Sequence, residues 1–119
     1  MDSERARQLL EQERERVRRE LAELRGERAD DGELSDVDQH PADVGTELFE
    51  EERDQSLINR LQHDLEAIER AFKRLDDGSY GRSVESGVPI PDARLEVMPW
   101  AERTVEEQTR FEAQERNSG

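Results

Sequence analysis

Apolar side chains recur at intervals of three, four or seven residues in two long stretches of the chain, with polar side chains between them. In the first stretch, residues 3–29, the apolar positions are Leu10, Val17, Leu21 and Leu24. That spacing places these side chains on one narrow face of a helix. The intervening Arg, Glu, Ala and Gln favour helices, and Ser3 is a suitable N-cap, so we predict a helix over residues 3–29.

The second stretch, residues 41–76, carries the more regular pattern. Its apolar positions alternate spacings of three and four residues at Ile58, Leu61, Leu65, Ile68, Phe72 and Leu75. Two apolar positions in every seven are typical of a coiled-coil seam. Pro41 suits the first turn of a helix, and Gly78 suits the left-handed position that ends one. We therefore predict a helix of roughly 50 Å over this stretch.

A helix with so narrow an apolar face requires a partner that covers it. The nearest partner is the helix over residues 3–29, which an aspartate-rich loop over residues 30–40 connects to the second helix. Pairing within the chain predicts a monomer with a long antiparallel coiled-coil helical hairpin over residues 1–77. Pairing between two copies predicts a dimer, and periodicity alone does not choose between these arrangements.

The pattern changes at Gly78. Residues 78–99 contain several glycines and prolines between short apolar runs, which is typical of a small lobe of turns and short strands. Pro99 suits the start of a last short helix over residues 99–116. The fold class that we predict is mainly α, with the helical hairpin followed by a second domain, residues 78–119, that contains the lobe and this C-terminal helix.

Composition narrows the classes of function. Of the 119 residues, 31% are hydrophobic and 42% are charged, which is too little apolar material for an ordinary compact core. The net charge of −14 disfavours direct binding to nucleic acid and favours a basic protein surface as the partner. Cysteine is absent and no apolar run approaches membrane-spanning length, so we expect a cytoplasmic protein that does not bind membranes. Phosphate loops, nucleophile–base sets and metal-ligand spacings are also absent, so we do not expect an enzyme.

Four short motifs near the end of the chain carry a resemblance to a known family. They are Gly78-Ser79-Tyr80-Gly81, Gly87-Val88-Pro89-Ile90-Pro91, Arg94-Leu95 and Pro99-Trp100-Ala101. Their order resembles the C-terminal zinc finger of the DksA/TraR transcription regulators. His40-Pro41-Ala42-Asp43 is similar to the segment before the long helix in the Gram-positive and actinobacterial branch. The resemblance implies a regulator that binds RNA polymerase and inserts the tip of its hairpin into the secondary channel.

The chain departs from that family at the zinc ligands. The four family cysteines correspond to Ser83, Ser86, Thr104 and Glu107. Structural zinc requires thiolate or imidazole ligands in a closed tetrahedral set, so we expect a degenerate finger with no metal and no other cofactor. The folding energy that zinc supplies must then come from packing. The side chains available for it are Tyr80, Val84, Val88, Ile90, Leu95, Val97, Met98 and Trp100.

The predicted hairpin tip, at about residues 30–47, is strongly acidic. In the resembled family, tip carboxylates enter the secondary channel and approach the catalytic centre. Aligned on the family motif D-x-x-D-x-A, Asp43 matches the second aspartate, His40 replaces the first and Gly45 replaces the alanine. Asp43 is therefore the main candidate for the effector residue, although solubility and the helix dipole also explain such charges. Two further aspartates are candidates to replace the missing acid: Asp38 and Asp36.

These observations lead to two main functional hypotheses, and a stress-related acidic protein with no fixed partner is a further alternative. The first is a transcription regulator that binds RNA polymerase through the acidic tip and a docking lobe. Arg94 and Trp100 are the docking candidates, although Arg94 also suits bracing of Asp76 or Asp77, and Trp100 suits an apolar anchor. The second hypothesis is a structural or adaptor coiled-coil protein that dimerises and no longer binds polymerase. A monomeric mass in solution favours the first hypothesis, and a stable dimer favours the second.

Overall fold

The computed structural model describes residues 1–26 and 44–118. They form the helices α1 (Ser3–Arg25), α2 (Val44–Asp77), α3 (Asp92–Val97) and α4 (Val105–Ser118). In these ranges no strand forms, and an isolated antiparallel bridge joins Arg82 to Pro89. The predicted mainly α class is confirmed. Among the described helices, none has the length and apolar character needed to cross a bilayer.

Both long helices stop next to a glycine. α1 ends at Arg25, earlier than the predicted residue 29, because Gly26 follows it with a left-handed φ of +71°. α2 ends at Asp77, and Gly78 has a φ of +84°, the left-handed conformation that terminates helices and that glycine adopts without strain. The predicted end of the second helix is therefore confirmed. Residues 27–29 of the first predicted helix and residues 41–43 of the second lie outside the described residues.

The described chain forms two compact units. The first comprises Met1–Arg14 and Glu66–Gly119. In this unit the start of α1 lies antiparallel to the end of α2, because Arg7 lies 3.7 Å from Asp76 and Arg14 lies 3.2 Å from Glu69. The Arg14 guanidinium also stacks over the Phe72 ring, 4.2 Å from its centroid. The apolar stripes of the two helices meet here in buried side chains: Ala6, Leu10, Ile68 and Ala71.

The second unit is Glu15–Leu65, and one face of each helix is buried in it as well. The buried apolar residues are Val17, Leu21 and Leu61. Leu24 and Ile58, further along the same stripes, line one open groove. On the solvated face, Arg16 and Glu20 form an ion pair of 3.1 Å one helical turn apart. Such exposed pairs contribute roughly 0.2–0.5 kcal/mol each, so the buried stripe stabilises this unit more than they do.

The lobe that follows α2 has a small apolar core. Ile90, Leu95 and Ala101 are buried, and Met1, Tyr80 and Met98 pack against them. The Tyr80 hydroxyl donates to the carbonyl oxygen of Pro99 at 2.8 Å, and burial raises the pKa of Tyr80 to about 12. The phenol therefore stays protonated and keeps donating at all physiological pH values.

A tight reverse turn precedes α3. The N–H of Ser83 donates to the carbonyl oxygen of Val88 at 2.8 Å, and the N–H of Gly87 donates back to Ser83 at 3.0 Å. The N–H of Ile90 donates to the carbonyl oxygen of Gly81 at 2.8 Å. Gly87 has a φ of +78°, a conformation that a residue with a Cβ adopts only with strain. The turn therefore brings Ser83 and its neighbours into a compact hydrogen-bonded loop.

Several predictions for the lobe are wrong. Residues 92–97 form α3, where turns and strands were predicted, because a helix of six residues is too short to show a periodic pattern. The last helix begins at Val105 and not at Pro99, because Thr104 supplies its N-terminal cap. Three valines assigned to packing are exposed, at 49%, 44% and 79% of their surface: Val84, Val88 and Val97.

Candidate functional site

The residues predicted for the hairpin tip fall mostly outside the described part of the chain. These are Asp36, Asp38, His40 and Asp43. Gly45 lies in the first turn of α2. The effector role assigned to these residues stays a prediction. The positions that the family resemblance assigns to zinc ligands lie within the described part of the chain, and they are close together.

Ser83 organises the first pair of these positions. Its side chain is buried in the reverse turn, with 5% of the residue exposed. The backbone N–H groups of Glu85 and Ser86 both donate to the Ser83 hydroxyl oxygen, at 3.0 and 3.2 Å. Short polar side chains that accept such local bonds favour turns over helices, so the sequence itself favours this conformation.

Thr104 and Glu107 form the second pair, and they cap the start of α4. The N–H of Glu107 donates to the Thr104 hydroxyl at 3.2 Å, and the N–H of Thr104 donates to Glu107 Oε1 at 3.0 Å. This reciprocal arrangement is a capping box, which satisfies two backbone donors at a helix N-terminus. Its Thr-x-x-Glu signature is visible in the sequence, where the family resemblance points only to lost zinc ligands at these two positions.

The Glu107 carboxylate joins the two pairs. The Ser86 hydroxyl donates to Glu107 Oε2 at 2.6 Å, a short bond typical of a hydroxyl and an ionised carboxylate. Hydrogen bonds from Ser83, Ser86 and Thr104 lower the pKa of Glu107 to about 2. We name this group the Glu107 cluster. Its members are Ser83, Ser86, Thr104 and Glu107.

The Glu107 cluster does not fit a structural zinc ion. Zinc in such sites is bound by thiolates or imidazoles, and this cluster offers three hydroxyls and one carboxylate. Both carboxylate oxygens already accept hydrogen bonds, from Thr104 and Ser86. In the parts of the chain that the structure describes, no group of three or more His, Cys, Asp or Glu side chains is arranged to hold a metal ion.

A second polar group lies where α2 meets the lobe. Arg70 donates to both carboxylate oxygens of Glu102, at 2.7 and 3.1 Å, and Arg74 Nη1 donates to Glu102 Oε2 at 3.1 Å. Burial alone raises the pKa of Glu102, but the bonds and charges of the two arginines outweigh burial and lower it. Arg74 Nε and Nη2 are buried without a hydrogen-bond partner. This group is not predictable from the sequence, because no spacing or motif connects α2 with Glu102.

The two docking candidates have different surroundings. Arg94 is half-buried, and its Nε donates to the carbonyl oxygen of Arg103 at 2.9 Å. It braces the backbone before α4, whereas the expected partners Asp76 and Asp77 contact Arg7 and Ser79. Trp100 is half-buried and lies outside the small apolar core. A docking role for Arg94 or Trp100 stays a prediction.

Comparison with known proteins places the lobe in a family. Residues 78–113 match the model of the prokaryotic dksA/traR C4-type zinc finger. The chain is similar to General stress protein 16O of Bacillus subtilis, with 42% identity over 68% of this chain and 50% of that protein. It is also similar to the RNA polymerase-binding transcription factor DksA of Caulobacter vibrioides, with 36% identity over 83% of this chain and 65% of that protein.

A solved structure extends the likeness to the fold. Transcription factor DksA2 from Pseudomonas aeruginosa superposes with a TM-score of 0.72 and 30% identity, over 96% of this chain and 85% of that one. The predicted family resemblance is confirmed by this likeness and by the matched finger. The chain spans less than two thirds of the length of the curated relatives that it matches.

Proposed function

This chain belongs to the DksA/TraR family, and from that membership we propose that it regulates transcription by binding RNA polymerase. The observation that carries the proposal is the likeness to a relative named as an RNA polymerase-binding transcription factor. That alignment covers 99 residues and 83% of this chain, so it includes helical residues as well as the lobe. In this proposal, the helical residues supply the part that reaches the polymerase and the lobe supplies the part that docks on it.

In this proposal the paired helices act as a probe and the acidic segment between them acts as the effector. The segment around Asp43 and the start of α2 is rich in carboxylates, and the chain carries a net charge of −14. Such a charge accelerates encounter with a basic protein surface. We assign the effector role to Asp43, with Asp38 and Asp36 beside it, and place the tip in the secondary channel of the polymerase.

Burial within a single chain supports the hairpin over the dimer. Leu10 and Ile68 have no exposed surface, and α1 and α2 of the same chain cover them. Pairing of α1 and α2 within one chain therefore buries these side chains, and no second copy of the chain is needed to cover them. We propose that the protein acts as a monomer.

The experiment that tests the proposal is capture of purified bacterial core RNA polymerase, followed by an open-complex lifetime assay on the same samples. The variants are Asp43→Asn and a matched control, Glu52→Gln, which removes one negative charge from the exposed surface of α2. We expect the unmodified protein and both variants to bind. We expect the unmodified protein and Glu52→Gln to change the open-complex lifetime, and Asp43→Asn to leave it unchanged.

Two results contradict parts of the proposal. If the unmodified protein does not bind polymerase at moderate salt and has the mass of a dimer, the coiled-coil adaptor becomes the better account. If Asp43→Asn changes the lifetime as much as the unmodified protein does, polymerase binding stands but Asp43 is not the effector.

A further inference from the structure

We propose that the Glu107 carboxylate takes the structural place of the metal ion in this lobe. It ties the reverse turn at Ser83 and Ser86 to the start of α4, and the lobe folds without metal and without thiols. The family model that matches the lobe describes a four-cysteine zinc finger. This chain has no cysteine, so its lobe must be connected in another way.

The four positions form two pairs that lie close together in space, although the pairs are far apart in the sequence. Ser83 and Ser86 belong to the reverse turn, and Thr104 and Glu107 belong to the start of α4. Each pair has the spacing of a Cys-x-x-Cys motif, the usual spacing for two zinc ligands on one segment. The Ser86–Glu107 bond of 2.6 Å connects residues 21 positions apart. The carboxylate therefore joins the two segments that the ion joins in a four-cysteine finger.

The chemistry of the Glu107 cluster suits a permanent structural role. Glu107 has 6% of its surface exposed and Ser83 has 5%. An ionised carboxylate is tolerated at such burial only when hydrogen bonds satisfy it. Its oxygens accept from the Thr104 N–H and the Ser86 hydroxyl, at 3.0 and 2.6 Å. Removing the carboxylate leaves these donors without their acceptor, in a lobe whose apolar core is small.

The test uses the full chain and a signal that comes from the lobe. Trp100 is the single tryptophan, and it lies in the lobe, so its fluorescence during thermal unfolding reports on this region. We compare Glu107→Ala with Glu106→Ala. Glu106 is exposed in the first turn of α4 and supplies the same change of charge beside the same helix end.

We expect Glu107→Ala to lower the Trp100 transition temperature by about 5 °C or more, and Glu106→Ala to change it much less. Proteolysis between residues 78 and 98 should become several times faster in Glu107→Ala alone. EDTA and added zinc sulfate should leave the transition of the unmodified protein unchanged. The proposal is overturned if Glu107→Ala and Glu106→Ala behave alike, or if EDTA lowers the transition temperature of the unmodified protein.

A second variant tests the placement of the four positions. The quadruple substitution Ser83→Cys, Ser86→Cys, Thr104→Cys and Glu107→Cys should bind one equivalent of Co²⁺, with the thiolate-to-metal absorption of a tetrahedral site. Zinc should then stabilise the variant, and EDTA should reverse the effect. A folded quadruple variant that binds no Co²⁺ contradicts the convergence of the four positions. If it does not fold, the Glu107→Ala and Glu106→Ala pair decides the proposal. All readouts use the free protein, so they do not depend on polymerase binding.

Discussion

Glu107 combines two properties that seldom occur together in an acidic side chain, since it is almost fully buried and it is ionised. Hydrogen bonds from Ser83, Ser86 and Thr104 to its carboxylate lower its pKa from the ordinary 4.5 to about 2. A carboxyl whose pKa is lower in the folded than in the unfolded state stabilises the fold above the unfolded-state value. That contribution is lost as the pH falls from about 4.5 towards about 2.

The first prediction concerns this acid sensitivity. We expect the difference in the free energy of unfolding between the unmodified protein and Glu107→Gln to be constant above pH 5 and to shrink below about pH 4.5. Urea unfolding followed by Trp100 fluorescence at several pH values measures it. For the matched variant Glu106→Gln we expect a difference that changes little over this pH range. A Glu107→Gln difference that does not change between pH 5 and pH 2.5 contradicts the prediction.

The second prediction concerns the ion pairs of Glu102. Its side chain is 16% exposed and that of its partner Arg74 is 12% exposed, and two nitrogens of Arg74 already lack partners. Glu102→Gln removes the carboxylate that forms the ion pair with the largely buried Arg74, so we expect a loss of about 1–3 kcal/mol of unfolding free energy, measured with urea. The control is Glu96→Gln in the solvent-exposed Arg5–Glu96 pair. For this variant we expect a much smaller loss of unfolding free energy. Equal losses in the two variants would contradict the importance of burial.

At the scale of the elements, spacing in the sequence predicts the long helices better than the lobe. α1 and α2 follow from apolar positions repeated over many turns, a pattern that each helix shows without its neighbours. α3 has six residues and shows no such repeat. The start of α4 depends on which side chain caps it, and Pro99 was a plausible alternative to Thr104.

The third prediction tests the seam of the paired helices. Ile68 has no exposed surface, so Ile68→Ala should lower the free energy of unfolding by about 2–5 kcal/mol through lost burial and a cavity. The control is Leu57→Ala on the same helix, where the side chain is 41% exposed and should contribute much less. Chemical denaturation followed by circular dichroism at 222 nm measures both. Similar losses in the two variants would show that the seam is not where the helices are held together.

At the scale of the whole molecule, charge and composition say more about the kind of partner than they say about the fold. A chain that is 42% charged with a net charge of −14 supports only a thin apolar interior, which the seam and the small lobe core provide. The remaining carboxylates form a surface suited to a basic partner. The net charge of −14 therefore agrees with the proposed binding to a basic protein surface.

The fourth prediction belongs to this scale. If charge steers association with polymerase, the apparent Kd should rise roughly tenfold or more between 50 and 500 mM KCl, mainly through slower association. Surface plasmon resonance at several salt concentrations measures the association and dissociation rates separately. A control series with sucrose at matched osmolality should change neither rate by a comparable factor. An association rate that does not depend on salt would contradict steering by charge.

The sequence by itself determined the two long helices, the mainly α class and the family, because these depend on local repeats and on the order of short motifs. Only the tertiary structure decided how Glu107 is used, and that Arg70 and Arg74 meet Glu102. Ser86 and Glu107 are 21 positions apart, and Arg74 and Glu102 are 28 apart. Periodicity reports which face of one element is apolar. Which polar groups meet across such separations depends on the path of the backbone between them, and therefore on the packing of the lobe as a whole.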